Sequence, residues 1–129
     1  MANRYGEAAL IAARGPSGIS PNARWESALE TLYPTSPVAR MKGSPRAAFL
    51  GLCEEGLVQG IPAGDYSAAK GNKEYAVRAV ALLSAGTQRW SRSALWQAVT
   101  ESSDKKETGQ IDVVLALWNN DLIVGKTKS

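Results

Sequence analysis

The chain carries one pattern of apolar residues twice, first as Phe49-Leu50-Gly51-Leu52-Cys53-Glu54-Glu55-Gly56-Leu57-Val58-Gln59-Gly60. It returns as Val114-Leu115-Ala116-Leu117-Trp118-Asn119-Asn120-Asp121-Leu122-Ile123-Val124-Gly125. The apolar residues, the polar break and the final glycine fall at matching positions without a gap. Self-similarity at a fixed period indicates copies of one small structural unit. The period of about 65 residues predicts two copies, which we place at residues 3–62 and 72–126.

Length and composition are those of an ordinary globular chain. Its 129 residues are 44% hydrophobic and 21% charged, which is typical of a folded protein with one core. We therefore predict a single compact domain over residues 1–129. Each copy alone would be too small to bury a sufficient core. The two copies are expected to lie back to back and to share an interface.

The fold class predicted from periodicity is all-α, with six helices arranged as two tandem three-helix units. Apolar residues recur at spacings of three and four along each helix, which is typical of a helix with one buried face. The predicted helices begin near residues 4, 21, 44, 72, 92 and 109. Their starts are marked by capping residues, namely Asn3, Ser20, Ser44, Asn72 and Ser91.

The ends of the third and sixth helices predict a little extended structure. Gly56 suits the left-handed position just past a helix end, where a side chain would be strained. After it, Leu57-Val58 and Leu122-Ile123-Val124 are the two stretches that look extended. They are expected to form short edges or a ribbon like the wing of a winged helix. A loop, residues 34–43, separates the second helix from the third.

The same helix ends resemble the end of the recognition helix in winged-helix domains. The shared pattern is Phe49-x-x-Leu52-x-x-x-Gly56-Leu57-Val58, repeated as Val114-x-x-Leu117-x-x-x-Asp121-Leu122-Ile123. The resemblance implies a winged-helix-like variant of the fold, with minimal β structure, and nucleic-acid binding. Two observations oppose it. The preceding loops are longer than a helix-turn-helix uses, and Glu54 and Glu55 would repel phosphates.

A wider resemblance covers most of the chain. The segments Lys42–Val58 and Gly109–Trp118 are similar to a family of small bacterial proteins of unknown function. This resemblance implies no activity for any residue.

Composition excludes several kinds of chemistry. The chain has one cysteine and no histidine, so it lacks the ligands of a Cys/His zinc site and the usual catalytic base. A disulfide within the chain is impossible. Cys53 lies on an apolar helix face beside acidic residues, which predicts an inert, buried thiol. We expect no catalytic residues, no metal and no cofactor, and hence a protein that is not an enzyme.

Basic residues supply the candidate binding sites. The net charge of +3 is well below that of a dedicated nucleic-acid-binding protein. Two local clusters precede the third and sixth helices, namely Arg40, Lys42 and Arg46, and then Lys105 and Lys106. Cations at a helix N-terminus predict an anion or phosphate site. The alternative is that these charges are simply solvated.

One of the four tryptophans is the remaining candidate. Trp25, Trp96 and Trp118 fall on apolar helix faces and are expected in the core. Trp90 lies in a loop between Arg89 and Arg92. That composition is typical of an interface hot spot or of a platform for stacking bases. The alternative is a hydrophobic staple, in which the residue before the Ser91 cap packs inward.

Taken together, these patterns favour a non-enzymatic interaction protein of the adaptor or inhibitor type. It is expected to bind another protein, and nucleic-acid binding through the winged-helix-like ends and the basic clusters is the alternative. The N-terminus does not resemble a signal peptide, and no apolar run is long enough to span a bilayer. We therefore expect a cytoplasmic protein without a membrane partner. The oligomeric state stays open.

Overall fold

The computed structural model describes residues 4–67, 70–86, 88–101 and 105–124. The helices within these residues are α1 (Tyr5–Ala13), α2 (Pro21–Leu32), α3 (Pro37–Arg40), α4 (Gly43–Glu54), α5 (Lys70–Ala85), α6 (Arg92–Thr100) and α7 (Gln110–Asn119). The six longer helices confirm the predicted all-α fold. The short helix α3 is an addition, because residues 34–43 were predicted to be a loop. None of the described helices has the length and hydrophobicity needed to cross a membrane.

Two serine caps fix the starts of α2 and α6. Ser20 Oγ accepts a hydrogen bond from Ala23 N at 3.2 Å, and Ser91 Oγ accepts one from Ala94 N at 3.1 Å. Each bond satisfies an amide that has no partner inside its own helix. Both caps are as predicted from the sequence.

The starts of α1, α4 and α5 differ from the prediction. Helix α5 begins at Lys70, so Asn72 is already helical and its predicted capping role is wrong. Helix α4 begins at Gly43, after an extended Lys42, and its first turn has no side-chain cap. Ser44 is therefore already helical, and its predicted capping role is wrong. Arg4 precedes α1, also without a side-chain cap. Asn3 lies outside the described residues.

Helices α4 and α7 end in the same way. Gly56 has a φ of 71°, which confirms the predicted left-handed position, and Asp121 has a φ of 59° at the matching place. The amide of the following residue, Leu57 or Leu122, donates to a carbonyl of the last helical turn at 3.0 Å in both cases. After each of these two helices, the chain therefore turns back over the apolar face of the helix that has just ended.

The two extended segments that follow these helices pair with each other. Val58 and Ile123, which hold matching positions in the repeated pattern, form an antiparallel bridge. Two flanking hydrogen bonds, both of 2.8 Å, run from Gln59 N to Leu122 O and from Val124 N to Leu57 O. Antiparallel pairing of matching positions is what a local two-fold axis produces. The predicted extended segments thus meet in one short contact.

The two halves interleave and do not lie back to back. Helix α1 of the first half packs on α7 of the second half, and α5 of the second half packs on α4 of the first. Helices α4 and α7 also pack on each other. Small residues permit the crossings: a Cβ added to Gly51 would lie 2.6 Å from Lys73 Cβ, and one added to Gly6 would lie 3.2 Å from Ala116 Cβ.

A single cluster of buried apolar side chains draws on both halves. Trp25 stacks on Phe49 with ring centroids 5.3 Å apart. Trp25 and Trp96 are buried, and Trp118 is half-buried against the same cluster. Cys53 is also buried, and burial raises the pKa of its thiol to about 12. The predicted burial of this thiol is confirmed.

Candidate functional site

The short helix α3 carries the most exposed large apolar side chains that the structure describes. Val38 is 83% exposed, and Met41, which ends the helix, is 82% exposed. The other exposed large apolar residues lie between 41% and 46%. Val38 and Met41 are three residues apart and therefore lie on one side of the turn. Such a pair differs from the scattered surface hydrophobes that any protein has.

A cavity of about 400 Å³ adjoins this turn. Its lining residues are Glu26, Leu29, Glu30, Arg40, Met41 and Arg46. We call Val38 and this lining the α3 surface. Leu29 is only 1% exposed, so the cavity has an apolar floor with charged groups around it.

Two of the predicted basic residues, Arg40 and Arg46, meet at this cavity. Arg40 Nη1 donates to the carbonyl oxygens of Tyr33 at 2.9 Å and Pro34 at 3.0 Å. It thereby holds the turn between α2 and α3. Arg46 Nη1 lies 3.3 Å from Glu26 Oε1 on the exposed surface, where an ion pair contributes little stability.

The third residue of that cluster, Lys42, lies away from the cavity. Its Nζ is 6.0 Å from the centroid of the Tyr5 ring. In the second half, Lys105 Nζ lies 5.2 Å from the centroid of the Tyr75 ring and donates to the Tyr75 hydroxyl at 2.6 Å. A cation over an aromatic face is attracted to it, modestly when exposed. Lys105 Nζ instead lies beyond the Tyr75 hydroxyl, at the edge of the ring, and holds it by the hydrogen bond. Lys106 is exposed.

The two predicted basic clusters lie at the same end of the α4–α7 pair. A Cβ added to Gly109, just before α7, would lie 3.1 Å from Pro45 Cβ in the first turn of α4. The N-terminus of α7 is occupied by a carboxylate of the protein. Glu107 Oε2 accepts from Gly109 N at 2.9 Å and from Ile111 N at 2.8 Å. Glu107 thus takes two of the amides that an external anion would use there.

Arg92 is held by the same carboxylate and by a second one. Its Nε donates to Asp112 Oδ1 at 2.8 Å, its Nη2 donates to Asp112 Oδ2 at 2.9 Å, and Nη2 also contacts Glu107. The hydrogen bond with Asp112 is the main cause that raises the pKa of Arg92 above its ordinary value. Arg92 therefore ties α6 to α7, a role that the sequence did not indicate.

The neighbouring Trp90 is half-buried and packs against the core cluster. Its Nε1 is buried and makes no hydrogen bond within the described part of the chain. This inward position is what the staple alternative predicts. Arg89 is exposed. The structure therefore does not bring Arg89, Trp90 and Arg92 into one open surface.

Comparison with known proteins gives one match. The model of a family of unknown function, DUF6979, matches residues 2–124. The chain belongs to this family. No match was found among the curated proteins, and none among the solved structures. The resemblance to a family of unknown function is confirmed, and membership assigns no activity to any residue.

Sequence reasoning missed the role of Glu54. This carboxylate is buried and accepts hydrogen bonds from Tyr66 N at 2.8 Å and Ser67 N at 2.9 Å. Lys73 Nζ lies 2.6 Å from Glu54 and 2.7 Å from Glu55. These bonds raise the pKa of Lys73. One ammonium compensates one of the two carboxylate charges, so the predicted repulsion of phosphates by Glu54 and Glu55 is reduced and stays a prediction.

The carboxylates form no metal site that the structure reveals. Within the described ranges, no group of three or more histidine, cysteine, aspartate or glutamate residues could hold an ion. The candidate site that remains is the α3 surface.

Proposed function

We propose that this chain is a non-enzymatic interaction protein that binds another protein through the α3 surface. The observation that carries the proposal is the exposure of Val38 and Met41, at 83% and 82%. Burying such a side chain in a complex contributes about 1.5–3 kcal/mol. Methionine adapts its shape to a partner and is enriched at interfaces.

The partner that fits best is an amphipathic helix of another protein. Its apolar face would cover Val38 and Met41, and one apolar side chain would enter the cavity above Leu29. Many proteins bind the apolar face of an amphipathic helix in a hydrophobic groove. Glu30 is exposed and forms no ion pair within the described residues. Charge complementarity therefore favours a lysine or arginine of the partner opposite Glu30.

Nucleic-acid binding is the second candidate, because both basic clusters lie at one end of the α4–α7 pair. Several of those cations already have partners in the protein. Arg92 pairs with Glu107 and Asp112, and Arg46 pairs with Glu26. Among the predicted cations at that end, Lys42 and Lys106 are the two that phosphates would contact. Fewer contacts mean weaker binding, which is why we favour the protein partner.

We also propose that the halves are copies of one unit within a single domain of 129 residues. The matched helix ends and the symmetrical hydrogen bonds around Val58 and Ile123 support this. The winged-helix-like description of these ends stays a proposal as well. We place the protein in the cytoplasm, where the reduced Cys53 is stable.

The test begins with the partner that purifies with the chain from cells that express it. Affinity is then measured by calorimetry with both proteins pure. The double variant Val38→Ser with Met41→Ser is expected to weaken binding more than roughly tenfold, because both apolar anchors are lost. Ile11→Ser, at a residue 41% exposed on α1, is the matched control and leaves the affinity unchanged.

Two further outcomes decide between the candidates. Glu30→Lys is expected to weaken the same complex, and a charge-reversed partner is expected to restore it. Equal affinity of the double variant and the parent chain would overturn the proposal. So would binding of DNA or RNA that weakens steeply with salt and is lost on Lys42→Ala, with no protein partner found.

A further inference from the structure

Arg24 is a buried cation in the first half of the molecule. Its side chain starts in the second turn of α2, and the residue is only 7% exposed. Nε donates to the carbonyl oxygen of Ile19 at 3.0 Å. Nη1 donates to the carbonyl oxygens of Ala12 and Ala13 at 3.3 Å each. Arg24 therefore closes the end of α1 and holds the loop that leads into α2.

These carbonyl oxygens do not supply a full counter-charge. The end of α1 carries only a partial negative charge from the helix dipole. Arg24 forms no ion pair with any carboxylate in the part of the chain that is described. Its Nη2 also makes no hydrogen bond there. Because Nη2 is not among the described polar atoms that are both buried and unpaired, it reaches the solvent, and an anion bound there would compensate the charge of Arg24.

Arg24 borders a cavity of about 370 Å³ between the α1–α2 loop and the segment after α4. The lining residues are Ser17, Gly18, Ile19, Ser20, Pro21, Arg24, Gly60, Ile61, Pro62 and Tyr66. Most of this lining is apolar, with the hydroxyl groups of two serines on the side of the loop. The volume is within the range of sites that hold small ligands.

We propose that this cavity binds a carboxylate that carries an apolar body. The carboxylate would accept from Nη2 of Arg24, which is the nitrogen left without a partner. The Ser20 hydroxyl already accepts from Ala23 N, so its own proton is available to a second carboxylate oxygen. The apolar body would lie against Ile61 and Pro21.

A carboxylate fits this site better than a bare phosphate. Guanidinium groups bind carboxylates with directed hydrogen bonds and are weakly hydrated themselves. The apolar lining adds affinity for a hydrocarbon body and none for a small hydrated ion. A free organic acid and the C-terminal residue of an apolar peptide share this chemistry. The site uses none of the residues of the α3 surface and is independent of it.

The test is a titration of the full chain with N-acetyl-leucine, followed by two-dimensional amide NMR. Shifts are expected for Gly18, Ile19 and Gly60. The amide of N-acetyl-leucine, which lacks the charge, is expected to bind roughly ten- to hundredfold more weakly. Equal binding of acid and amide would overturn the proposal. The same shifts with inorganic phosphate alone would overturn it too.

A comparison of 4-methylvalerate with a tripeptide that ends in a free leucine carboxylate shows whether the carboxylate comes from a free organic acid or from the C-terminus of a peptide. The ligand that binds with the higher affinity identifies the natural class of ligand. Either order of affinity supports the carboxylate site. No binding of either would contradict it.

Two variants separate binding from folding. Arg24→Gln keeps an amide donor for the carbonyl oxygens and removes the charge, so binding is expected to be lost. Because this change also touches the end of α1, a second variant is needed. Ser17→Trp, at an exposed residue, is expected to fill the mouth and abolish binding without lowering the melting temperature. Ser93→Trp on α6 is the matched control. Full binding by Ser17→Trp would exclude this cavity.

Discussion

The N-termini of α4 and α7 lie side by side, yet the two halves of the molecule complete them differently. Glu107 caps α7 with two hydrogen bonds to backbone amides and is itself held by Arg92. Lys42 precedes α4, which has no side-chain cap. In the second half, a carboxylate of the protein itself, Glu107, therefore occupies the anion position at the start of the helix. In the first half, no side chain caps the corresponding start of α4.

The loops before these two helices differ in the same sense. The first loop folds into α3 and exposes Val38 and Met41. The described part of the second loop, residues 105–109, contains no helix, and its Lys105 donates a hydrogen bond to the Tyr75 hydroxyl. We therefore propose that the two halves use this position differently. The second half uses its loop for internal bonds, and the first half presents a surface that other molecules can reach.

The largest expected effect tests the two helix crossings. A Cβ at Gly51 would lie 2.9 Å from Lys73 Cα, so the backbones of α4 and α5 must separate. Gly51→Ala is expected to lower the free energy of unfolding by about 3 kcal/mol. At Gly6, the nearest backbone atom is Asp112 O at 3.1 Å. The gain in helix propensity offsets that strain, so Gly6→Ala should stay within about 1 kcal/mol. Urea unfolding measures both, and equal losses would contradict the difference between the crossings.

The second-largest effect is expected for Glu107, the carboxylate that caps α7. Glu107→Ala removes the cap of α7 and leaves Arg92 with one partner, so a loss of about 2 kcal/mol is expected. Lys42→Ala, before α4, removes an exposed side chain and is expected to change stability by less than about 0.5 kcal/mol. Thermal unfolding of both variants checks this. Matching losses would mean that the two helix starts are equivalent after all.

A smaller effect depends on pH. Cys53 holds the position that Trp118 holds in the second half. Burial raises its pKa from 9.0 to about 12, although Arg24 opposes part of that rise. The unfolded chain releases this proton first, so stability is complete below pH 9 and falls as the pH rises toward 12. At pH 10 the loss is about 1.4 kcal/mol. Cys53→Ala should lose less stability than the parent chain between pH 8 and 10, and identical losses would contradict the assignment.

The smallest effect is expected at the α3 surface itself. Val38→Ser with Met41→Ser removes apolar atoms that the folded chain leaves in solvent. The melting temperature should therefore stay within the error of the measurement. Leu29→Ala, at the floor of the adjoining cavity, should cost about 2–5 kcal/mol. A large loss in the double variant would show that α3 supports the core and is not an open surface.

Local signals explain what the sequence could predict. The spacing of apolar residues predicts the six longer helices, and the serine caps of α2 and α6 are read from two residues, Ser20 and Ser91. Gly56 predicts its own backbone conformation, because only glycine reaches it without strain. The extended segments at Val58 and Ile123 are predicted as well, but their pairing with each other is not. Each of these inferences depends on neighbours in the chain.

Contacts between distant segments explain what the sequence could not predict. Arg92 with Asp112 and Lys73 with Glu54 join residues that no local pattern connects. Helix α3 is too short for periodicity, and its one signal is Ser36-Pro37, which repeats the opening of α2 at Ser20-Pro21. The cavities at Arg24 and at Leu29 depend on how loops close over helices. Such sites emerge from packing.

The most direct test of this proposed difference between the halves is photo-crosslinking in cells that express the chain. A photoreactive side chain is placed either at position 38, on α3, or at position 106, in the matching loop of the second half. We predict a discrete crosslinked protein at position 38 that disappears with Glu30→Lys, and none at position 106. Crosslinking at position 106 alone would contradict the assignment of the binding surface to the first half.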